Sequence, residues 1–296
     1  MKVLSLGHVT YDVTMQTSFY PEENEKYRME KLIECGGGPS NNAGFLLGLW
    51  GEEVYTSGLV GDDYQGQFIK NELESIGINT KYLELNPDVK TDSSYIIANK
   101  SNGSRTILSH VKGREGKYLS LDISEKFDLI MLDGDEVEVA KKVLENNPDA
   151  ISVLDAGSLR DGTVALCPHV TYLACSHDFA EDYTNMKIDY DDINTIIPVY
   201  EKLKEDFKNT VIITLEDRGS FAEIDGEYKI VPSIKVDLVD STGAGDIFHG
   251  AFGYFITHNY GLERALRLAN ITGALSVEKF GSRHSMSKLE DVLKYE

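Results

Sequence analysis

The sequence predicts an α/β protein with a doubly wound, mostly parallel sheet, helices on both faces, and a small separate β-sheet. Short apolar runs alternate with amphipathic stretches of helical length along most of the chain. Several of these runs are apolar throughout, which is typical of parallel strands that are buried on both faces. Two regions, 11–33 and 90–111, interrupt the alternation with extended segments that have no helix between them.

Six short apolar runs predict the strands of the main sheet, at 2–7, 54–60, 127–133, 151–155, 170–175 and 211–215. Stretches with helical periodicity are found at 40–50, 64–76, 137–145, 192–207, 251–258 and 262–278. Because strands that alternate with helices form parallel sheets, we expect one large α/β core in this chain of 296 residues. That core is expected to comprise residues 1–10, 34–89 and 112–296.

Regions 11–33 and 90–111 predict the small sheet. The first region is extended chain around the turn Pro21-Glu-Glu-Asn24. The second holds two strand-like runs, 94–99 and 105–110, joined by a Lys-Ser-Asn-Gly segment. Asn-Gly between two such runs indicates a hairpin. These segments are expected to pair with one another rather than extend the core.

Composition excludes several classes of protein. The formal net charge of −20 argues against binding of nucleic acid or of an anionic membrane surface. The three cysteines, Cys35, Cys167 and Cys175, match no common zinc spacing and are expected to be buried thiols. The apolar start of the chain is too short for a signal peptide, and no window reaches about 18 apolar residues. We therefore expect a cytoplasmic protein.

The segment Asp240-Ser-Thr-Gly-Ala-Gly-Asp246 is the most informative part of the chain. It follows a β-rich run at 234–239 and leads into an apolar stretch at 247–256. Its small residues, Gly243, Ala244 and Gly245, allow backbone N–H groups to approach a ligand at a helix N-terminus, where an anion is favoured. Asp246 could simply cap the helix, but its spacing from the small residues favours a general base. The segment predicts phosphoryl transfer to a hydroxyl.

A second glycine-rich segment, Gly36-Gly-Gly-Pro-Ser-Asn-Asn-Ala43, leads into the helix predicted at 40–50. Pro39 is expected in its first turn, with Ser40 or Asn41 near the cap. The segment is either a backbone surface for a polar ligand or a tight loop. Asp12 follows the first strand, where ligands of open α/β sheets collect, and is either an acceptor for sugar hydroxyls or a solvated acid.

Several catalytic motifs are missing from the sequence. There is no Gly-x-x-x-x-Gly-Lys-Ser/Thr segment, which excludes a P-loop kinase. No Gly-x-Gly-x-x-Gly follows the first strand, which argues against a dinucleotide-dependent dehydrogenase. No Gly-x-Ser-x-Gly or His-Glu-x-x-His segment is present.

Together the two glycine-rich segments resemble the signatures of the ribokinase-like (PfkB) family of sugar kinases, and their separation of about 200 residues is also similar. Further matches are Gly58-Leu-Val-Gly-Asp-Asp-Tyr-Gln-Gly66 and Thr214-Leu-Glu-Asp-Arg-Gly219. The resemblance extends over essentially the whole chain. It implies a doubly wound core and a β-stranded lid that closes over the sugar.

The resemblance also implies roles for individual residues. Asp246 would be the base, and the anion hole would be formed by Gly243, Ala244 and Gly245. The sugar would be contacted by Asp12, Gly36, Gly37 and Asn41, with Gly38 beside them. The nucleotide phosphates and ribose would lie near Thr214 and Gly219, and the adenine near Asn270, Ala274, Gly281 and His284. Asp240 and Thr242 match a monovalent-cation site for K⁺. ATP with Mg²⁺ and a homodimer formed through the lid are expected.

Two positions depart from the family pattern. The family's Asn-x-x-Glu motif appears here as Ser176-His-Asp-Phe179, and Glu216 stands where a glycine is usual. The first departure is shared with the ketohexokinase and sulfofructose-kinase branches, which favours a ketose or fructose-like substrate. Arg105, in the predicted lid, either reaches an anionic group or is a solvated hairpin charge.

Two alternatives remain open from the sequence. A nucleoside kinase of the same fold would use aromatic lid residues to stack a base, and the candidates are Tyr11, Phe19, Tyr20, Tyr27 and Tyr95. A sensor that binds sugar and nucleotide without catalysis is suggested by the altered Asn-x-x-Glu position. The intact Asp246 and its glycine-rich turn argue against the sensor.

Overall fold

A computed structural model describes residues 1–111 and 116–296. Its main sheet has nine strands within those ranges, in the order β13-β12-β11-β10-β9-β8-β1-β4-β5. These are β1 (Lys2–Leu6), β4 (Glu53–Gly61), β5 (Asn79–Asn86), β8 (Leu129–Leu132), β9 (Ile151–Ala156), β10 (Tyr172–Ser176), β11 (Thr210–Thr214), β12 (Ser220–Ile224) and β13 (Glu227–Val231). In that order, the seven strands from β11 through β1 to β5 are parallel, and β12 and β13 add antiparallel strands at one edge. The predicted mostly parallel sheet is confirmed.

The separate small sheet is also confirmed. Its four strands within the described residues are β2 (Thr10–Thr17), β3 (Lys31–Gly37), β6 (Asp92–Asn99) and β7 (Ser104–His110), in the order β3-β2-β6-β7. Strands β6 and β7 form the hairpin that the Asn-Gly link predicts. Strand β3 continues to Gly37, beyond the boundary expected at residue 33. The division into domains stays a prediction, and residues 112–115 of its last core segment lie outside the described residues.

Helices cover both faces of the main sheet. They are α1 (Pro39–Leu49), α2 (Tyr64–Ser75), α3 (Val137–Asn146), α4 (Asp161–Leu166), α5 (His177–Thr184), α6 (Ile193–Phe207), α7 (Ala244–Thr257), α8 (Leu262–Ser276) and α9 (Leu289–Val292). Successive strand residues point to opposite faces, so Val3 packs in the core under α1, α7 and α8 while Leu4 packs in the core under α3 and α6. Within the described ranges, no helix combines the length and apolarity needed to cross a membrane.

Some sequence-based boundaries were wrong. The run at 234–239 is not a strand: it is irregular chain that exposes Leu238, and no other strand pairs with it among the described residues. Helix α7 begins at Ala244 rather than near residue 251. Helix α1 is preceded by Gly38 without a side-chain cap, because the Ser40 hydroxyl donates instead to the buried Asp133 carboxylate.

Three strands were not predicted from the sequence. Strand β5 is half-polar because it lies at the edge of the sheet. Strands β12 and β13 form a hairpin around Asp225 and Gly226, which both have positive φ angles. Asp-Gly with this geometry is a strong hairpin signal that the sequence did contain.

The packing of α1 against α7 places the two glycine-rich segments side by side. A Cβ at Gly250 of α7 would be 2.9 Å from the carbonyl oxygen of Ala43 in α1, so the helices approach closely there. Both helices begin at the carboxyl-end side of the sheet. The small sheet adjoins the same side, since Gly37 at the end of β3 is followed almost at once by α1.

Candidate active site

The residues predicted to form the anion hole lie at the first turn of α7. Gly243 adopts the left-handed conformation, with φ 78°, and helical residues start at Ala244. The first amides of a helix have no intrahelical acceptor, so they are available to an anion. A Cβ added at Gly245 would meet no described atom within 4 Å, so this part of the turn is open.

Asp246 lies in that turn and is held by a residue that the sequence did not single out. The side-chain amide of Asn42 donates to Asp246 Oδ2 at 2.7 Å. Burial raises the pKa of Asp246 to about 6, and the nearby Asp155 acts in the same direction. The Asn42 hydrogen bond and the charges of His249 and Arg105 act in the opposite direction. The side chain is half-buried and so partly accessible, as a general base that must meet a substrate should be.

The predicted sugar-binding residues lie at the end of the small sheet. Asp12 is buried on β2, and Gly37 on the neighbouring β3 lacks the Cβ that would overlap its carboxylate. Burial raises the pKa of Asp12 to about 6, while Arg283 lowers it. Asp12 Oδ1 has no hydrogen-bond partner among the described residues. A buried oxygen of this kind is available to a ligand hydroxyl.

Gly38 and Asn41 complete this loop. Gly38 has φ 100° and lies against the backbone of His8, so a side chain there would clash. Asn41 is fully buried and donates to the carbonyl oxygen of Gly37 at 2.9 Å. Its Oδ1 lacks a partner within the described part of the chain. Asn41 can therefore offer a ligand an acceptor while its amide hydrogens support the loop.

Arg283 lies between Gly281 and His284, the segment expected near the adenine, but its contacts with Asn42 and with the predicted sugar-binding loop were not foreseen. It is 4% exposed, and its guanidinium forms an ion pair with Glu72. Nε donates to Asn42 Oδ1 at 3.1 Å, and the guanidinium lies over the Phe45 ring at 4.3 Å. Gly36 is in contact with this group, because a Cβ there would be 2.6 Å from Nη1.

His249 and Asp155 were also not predicted. His249 Nε2 lies 2.9 Å from the carbonyl oxygen of Ala174, and Nδ1 lies 2.6 Å from that of Gly245. Nδ1 is also 3.1 Å from Asp155 Oδ2. Every one of these neighbours is a hydrogen-bond acceptor, so each ring nitrogen lies where an N–H can donate. Burial raises the pKa of Asp155, and the adjacent His249 opposes the shift.

The residues predicted to bind nucleotide phosphates and ribose lie at the end of β11. Thr214 closes that strand, and its hydroxyl donates to the Cys175 carbonyl oxygen at 3.3 Å. Gly219 has φ 104°, and a Cβ there would overlap the Val231 carbonyl. Glu216 adopts the left-handed conformation, with φ 51°. That conformation gives a physical reason for the glycine usual at this position in the family.

The residues predicted to approach the adenine are spread over α8 and the loop after it. Both amide hydrogens of Asn270 are used within the protein, on Ser220 Oγ at 3.1 Å and on the Val231 carbonyl oxygen at 2.9 Å. Ala274 lies one turn further along α8 and is 9% exposed. His284 is exposed in the loop that follows.

The predicted monovalent-cation residues hold that loop against α7. Asp240 is buried and accepts hydrogen bonds from the backbone N–H and hydroxyl of Thr242 and from the N–H of Gly281, at 2.9, 2.6 and 2.9 Å. Four carboxylate lone pairs therefore meet three donors, and one lone pair on Oδ2 remains for a cation. The loop also touches the anion hole, since a Cβ at Gly243 would be 2.8 Å from the Ser282 Cβ.

Arg105 connects the small sheet to the same segment. It lies on β7, and its Nη1 donates to Ser241 Oγ at 2.8 Å. The Ser241 hydroxyl and N–H in turn donate to the carbonyl oxygen of Gly103 at 3.3 and 3.4 Å. Leu238 packs against Gly103, so the hairpin end and the segment before the anion hole are in direct contact.

The altered Asn-x-x-Glu position does not gather acidic side chains. Ser176 caps α5 by accepting from the Phe179 N–H, and Asp178 is exposed. Glu181 is engaged by Lys187. Across residues 1–111 and 116–296, no three His, Cys, Asp or Glu side chains converge to hold a metal ion.

This fold and cleft define a ribokinase-like protein, and comparisons with known proteins identify its family. A model of the pfkB family of carbohydrate kinases matches residues 1–289. The ribokinase of Lactococcus lactis subsp. lactis is 28% identical over 305 residues, which cover 98% of this chain and 95% of that protein. The deoxyribokinase of Salmonella typhi is 29% identical over 308 residues, covering 100% of this chain and 98% of that one.

A solved structure shows the same fold. The ribokinase of Arabidopsis thaliana, complexed with ribose and ATP, superposes with a TM-score of 0.78 at 21% identity, covering 99% of this chain and 97% of that one. Because the family model spans nearly the whole sequence, the chain belongs to the pfkB family. It is a carbohydrate kinase.

Proposed function

We propose that the protein transfers the γ-phosphoryl group of ATP to a hydroxyl of a small sugar, in the cytoplasm, with Asp246 as the base. The observation that carries this proposal is the half-buried Asp246 carboxylate in the open first turn of α7. A base and an anion site within one helical turn are what in-line phosphoryl transfer to an alcohol requires.

Each part of the cleft has a step to perform. Asp12 and Asn41 present buried oxygens to the sugar hydroxyls and orient the acceptor. Asp246 takes the proton of the acceptor hydroxyl as its oxygen bonds to the γ-phosphorus and the bond from that phosphorus to the ADP oxygen breaks. The amides of Gly243, Ala244 and Gly245 stabilise the charge on the transferring group, and one such donor is worth about 3–4 kcal/mol in other enzymes.

The described residues fit a magnesium ion only as part of the nucleotide complex. Since no cluster of three ligating side chains is found in them, Mg²⁺ would take most of its ligands from phosphate oxygens and water. It would neutralise phosphate charge when bound. A potassium ion would have the remaining lone pair of Asp240 as a ligand, beside Thr242, whose N–H and hydroxyl donate to the same carboxylate.

The substrate that we propose is a ketose or fructose-like sugar, and pentoses are the competing acceptors because the relatives include a ribokinase and a deoxyribokinase. A nucleoside is less well supported. Tyr11 precedes Asp12 on β2, and Tyr95 follows Ser94, the residue that pairs with Asp12, on β6. Because successive strand residues point to opposite faces, both rings point away from the face that carries Asp12. Phe19 and Tyr27 stack on each other, with ring centroids 4.4 Å apart.

The test measures ADP release from ATP with a panel of ketoses, ribose, deoxyribose and nucleosides, in Mg²⁺ and K⁺. We expect turnover with a ketose to exceed turnover with any nucleoside. Turnover confined to nucleosides would contradict the sugar assignment. Binding of ATP and sugar in a thermal-shift assay, with no ADP formed from any acceptor, would instead favour the inactive sensor.

We also propose that the outer face of the small sheet pairs with a second copy of the chain. Leu32, Tyr95 and Leu108 are 48%, 47% and 57% exposed there, and β7 is an edge strand. Light scattering should give a dimer for the wild type and a monomer for Leu108→Asp. A monomeric wild type at micromolar concentration would contradict this arrangement.

A further inference from the structure

A series of hydrogen-bonded polar groups, buried at Asn42 and Arg283, leads from helix α2 to the carboxylate of Asp246. Glu72 accepts from the Gly36 N–H at 2.7 Å and is also paired with Arg283. Arg283 Nε donates to Asn42 Oδ1 at 3.1 Å, and Asn42 Nδ2 donates to Asp246 Oδ2 at 2.7 Å. These hydrogen bonds thus join the sugar-binding loop to the base through Arg283 and Asn42, two residues that the transfer step itself does not use.

The chemistry of arginine determines which end of the Asn42 amide faces each of its two neighbours. A guanidinium can only donate hydrogen bonds, so the Asn42 group that faces Arg283 must be the oxygen. The Asn42 amide nitrogen must then face Asp246. If Arg283 were absent, the amide could rotate and turn its oxygen towards the carboxylate, where two acceptors would repel each other.

The surroundings hold Arg283 in place. Its guanidinium is packed between the Phe45 ring and the backbone of Gly36, which has no Cβ to obstruct it. The Glu72 carboxylate neutralises the buried charge. A planar group confined on both faces and paired at one end has little freedom to move, so its hydrogen bond to Asn42 has a fixed direction.

We propose that Asn42 and Arg283 are positioning residues: Asn42 fixes one oxygen of Asp246 so that the other takes the substrate proton, and Arg283 fixes the orientation of Asn42. This inference rests on the proposed role of Asp246 as the base.

The other charged groups around Asp246 determine what removal of Asn42 should do. Asp155 on β9 and Asp12 on β2 are acidic neighbours, whereas His249 on α7 and Arg105 on β7 are basic ones. Since all four remain in an Asn42 variant, the loss of the amide donor leaves the ionised Asp246 less stabilised. The acidic limb of the rate profile should therefore move to higher pH.

The first experiment compares Asn42→Ala with Asn147→Ala. Asn147 is a matched control because it is also buried, and its side-chain amide also donates one hydrogen bond and accepts another. It differs in its place, which is the end of α3. We expect Asn42→Ala to lower kcat about 10- to 100-fold, the value of one hydrogen bond to a charged group, with KM for ATP unchanged. Its acidic limb should rise by about one pH unit, while Asn147→Ala changes melting temperature only.

The second experiment is a double-mutant cycle on kcat. Arg283→Gln is made together with Glu72→Gln, so that no buried charge is left unpaired, and the pair is combined with Asn42→Ala. If Arg283 acts through Asn42, the combined variant should be no slower than Asn42→Ala by more than about 3-fold. Multiplicative losses would show that Arg283 acts by another route.

The outcomes separate this inference from the proposed function. A wild type that phosphorylates no acceptor would overturn the function itself. An active wild type whose Asn42→Ala variant keeps kcat and the acidic limb would overturn the positioning role alone. Asn42→Gln, which can still donate a hydrogen bond, should restore part of the rate. If both Asn42 variants are inactive and bind no sugar, while their melting temperatures are normal, Asn42 acts in binding instead.

Discussion

The proposed sugar side and the proposed nucleotide side of the site are built differently. The sugar side has buried charged or amide groups with free oxygens, Asp12 Oδ1 and Asn41 Oδ1. On the nucleotide side the corresponding groups already have partners, as in Asn270 and Asp240, and the shape comes from backbone such as Gly219. The sugar side should therefore respond to changes of charge and pH as well as to an added Cβ, and the nucleotide side to an added Cβ only.

The largest effect is expected from Asp246→Asn, which removes the base and keeps the size of the side chain. The value of kcat should fall about 10²- to 10⁴-fold, the usual contribution of general base catalysis, while ATP still binds. Steady-state rates and ATP titration measure the two quantities. Retention of more than about a tenth of wild-type kcat would rule out Asp246 as the base.

The same substitution has an opposite effect on stability. The pKa of Asp246 is raised in the folded state to about 6, above its ordinary value of 3.8, so its contribution to stability is present below that ordinary value and is lost as pH rises through about 6. Asp246→Asn removes this loss. Chemical unfolding at pH 8 should show a gain of about 1–2 kcal/mol, which allows for partial exposure, and a gain of less than about 0.5 kcal/mol at pH 4.

The next effect is the pH dependence of the wild type. Burial raises the pKa of both Asp246 and Asp12 to about 6, and both must be ionised, the first to accept a proton and the second to orient the sugar. The value of kcat/KM for sugar should therefore fall about 10- to 100-fold per pH unit below pH 6. Binding of ATP alone should not follow this profile. An acidic limb centred near pH 4 would contradict the desolvated site.

Substitution of one glycine on each side tests the comparison directly. In Gly37→Ala the Cβ would overlap the Asp12 carboxylate, and in Gly219→Ala it would overlap the Val231 carbonyl, at φ 104°. We expect KM for sugar to rise about 10-fold or more in the first variant, and KM for ATP to rise similarly in the second. A rise of both constants in both variants would show that the two sides are not independent.

Much of the fold could be predicted because its signals are local. The apolar strand β8, Leu129–Leu132, and the glycines that open α1 and α7 are recognisable within a few residues. The run at 234–239 misled for the same reason: its apolar alternation is that of a strand, but whether a strand pairs with it depends on distant parts of the chain.

The additional site residues could not be predicted because their partners are remote in sequence. The Asn42–Asp246 bond joins positions 204 apart, and the Arg283–Asn42 bond joins positions 241 apart. Nothing near Arg283 in the sequence indicates that it is buried. His249 likewise reads as part of an apolar helix until Asp155 is placed beside it.

The smallest effect is expected from Arg105→Ala, which tests how the small sheet is coupled to the anion-hole segment. Arg105 is exposed, so the loss of its bond to Ser241 should change the free energy of unfolding by less than about 0.5 kcal/mol. If the bond helps the small sheet to close over the sugar, KM for sugar should rise about 3- to 10-fold with kcat nearly unchanged.

Arg105→Lys is the matched variant, because it keeps the charge but not the geometry of the guanidinium. A Lys variant as weak as the Ala variant would assign the effect to the bond with Ser241. A Lys variant with wild-type KM for an anionic sugar, but not for a neutral one, would show that Arg105 acts as a charge on the substrate. Unchanged KM values in both variants would leave Arg105 as a solvated hairpin residue.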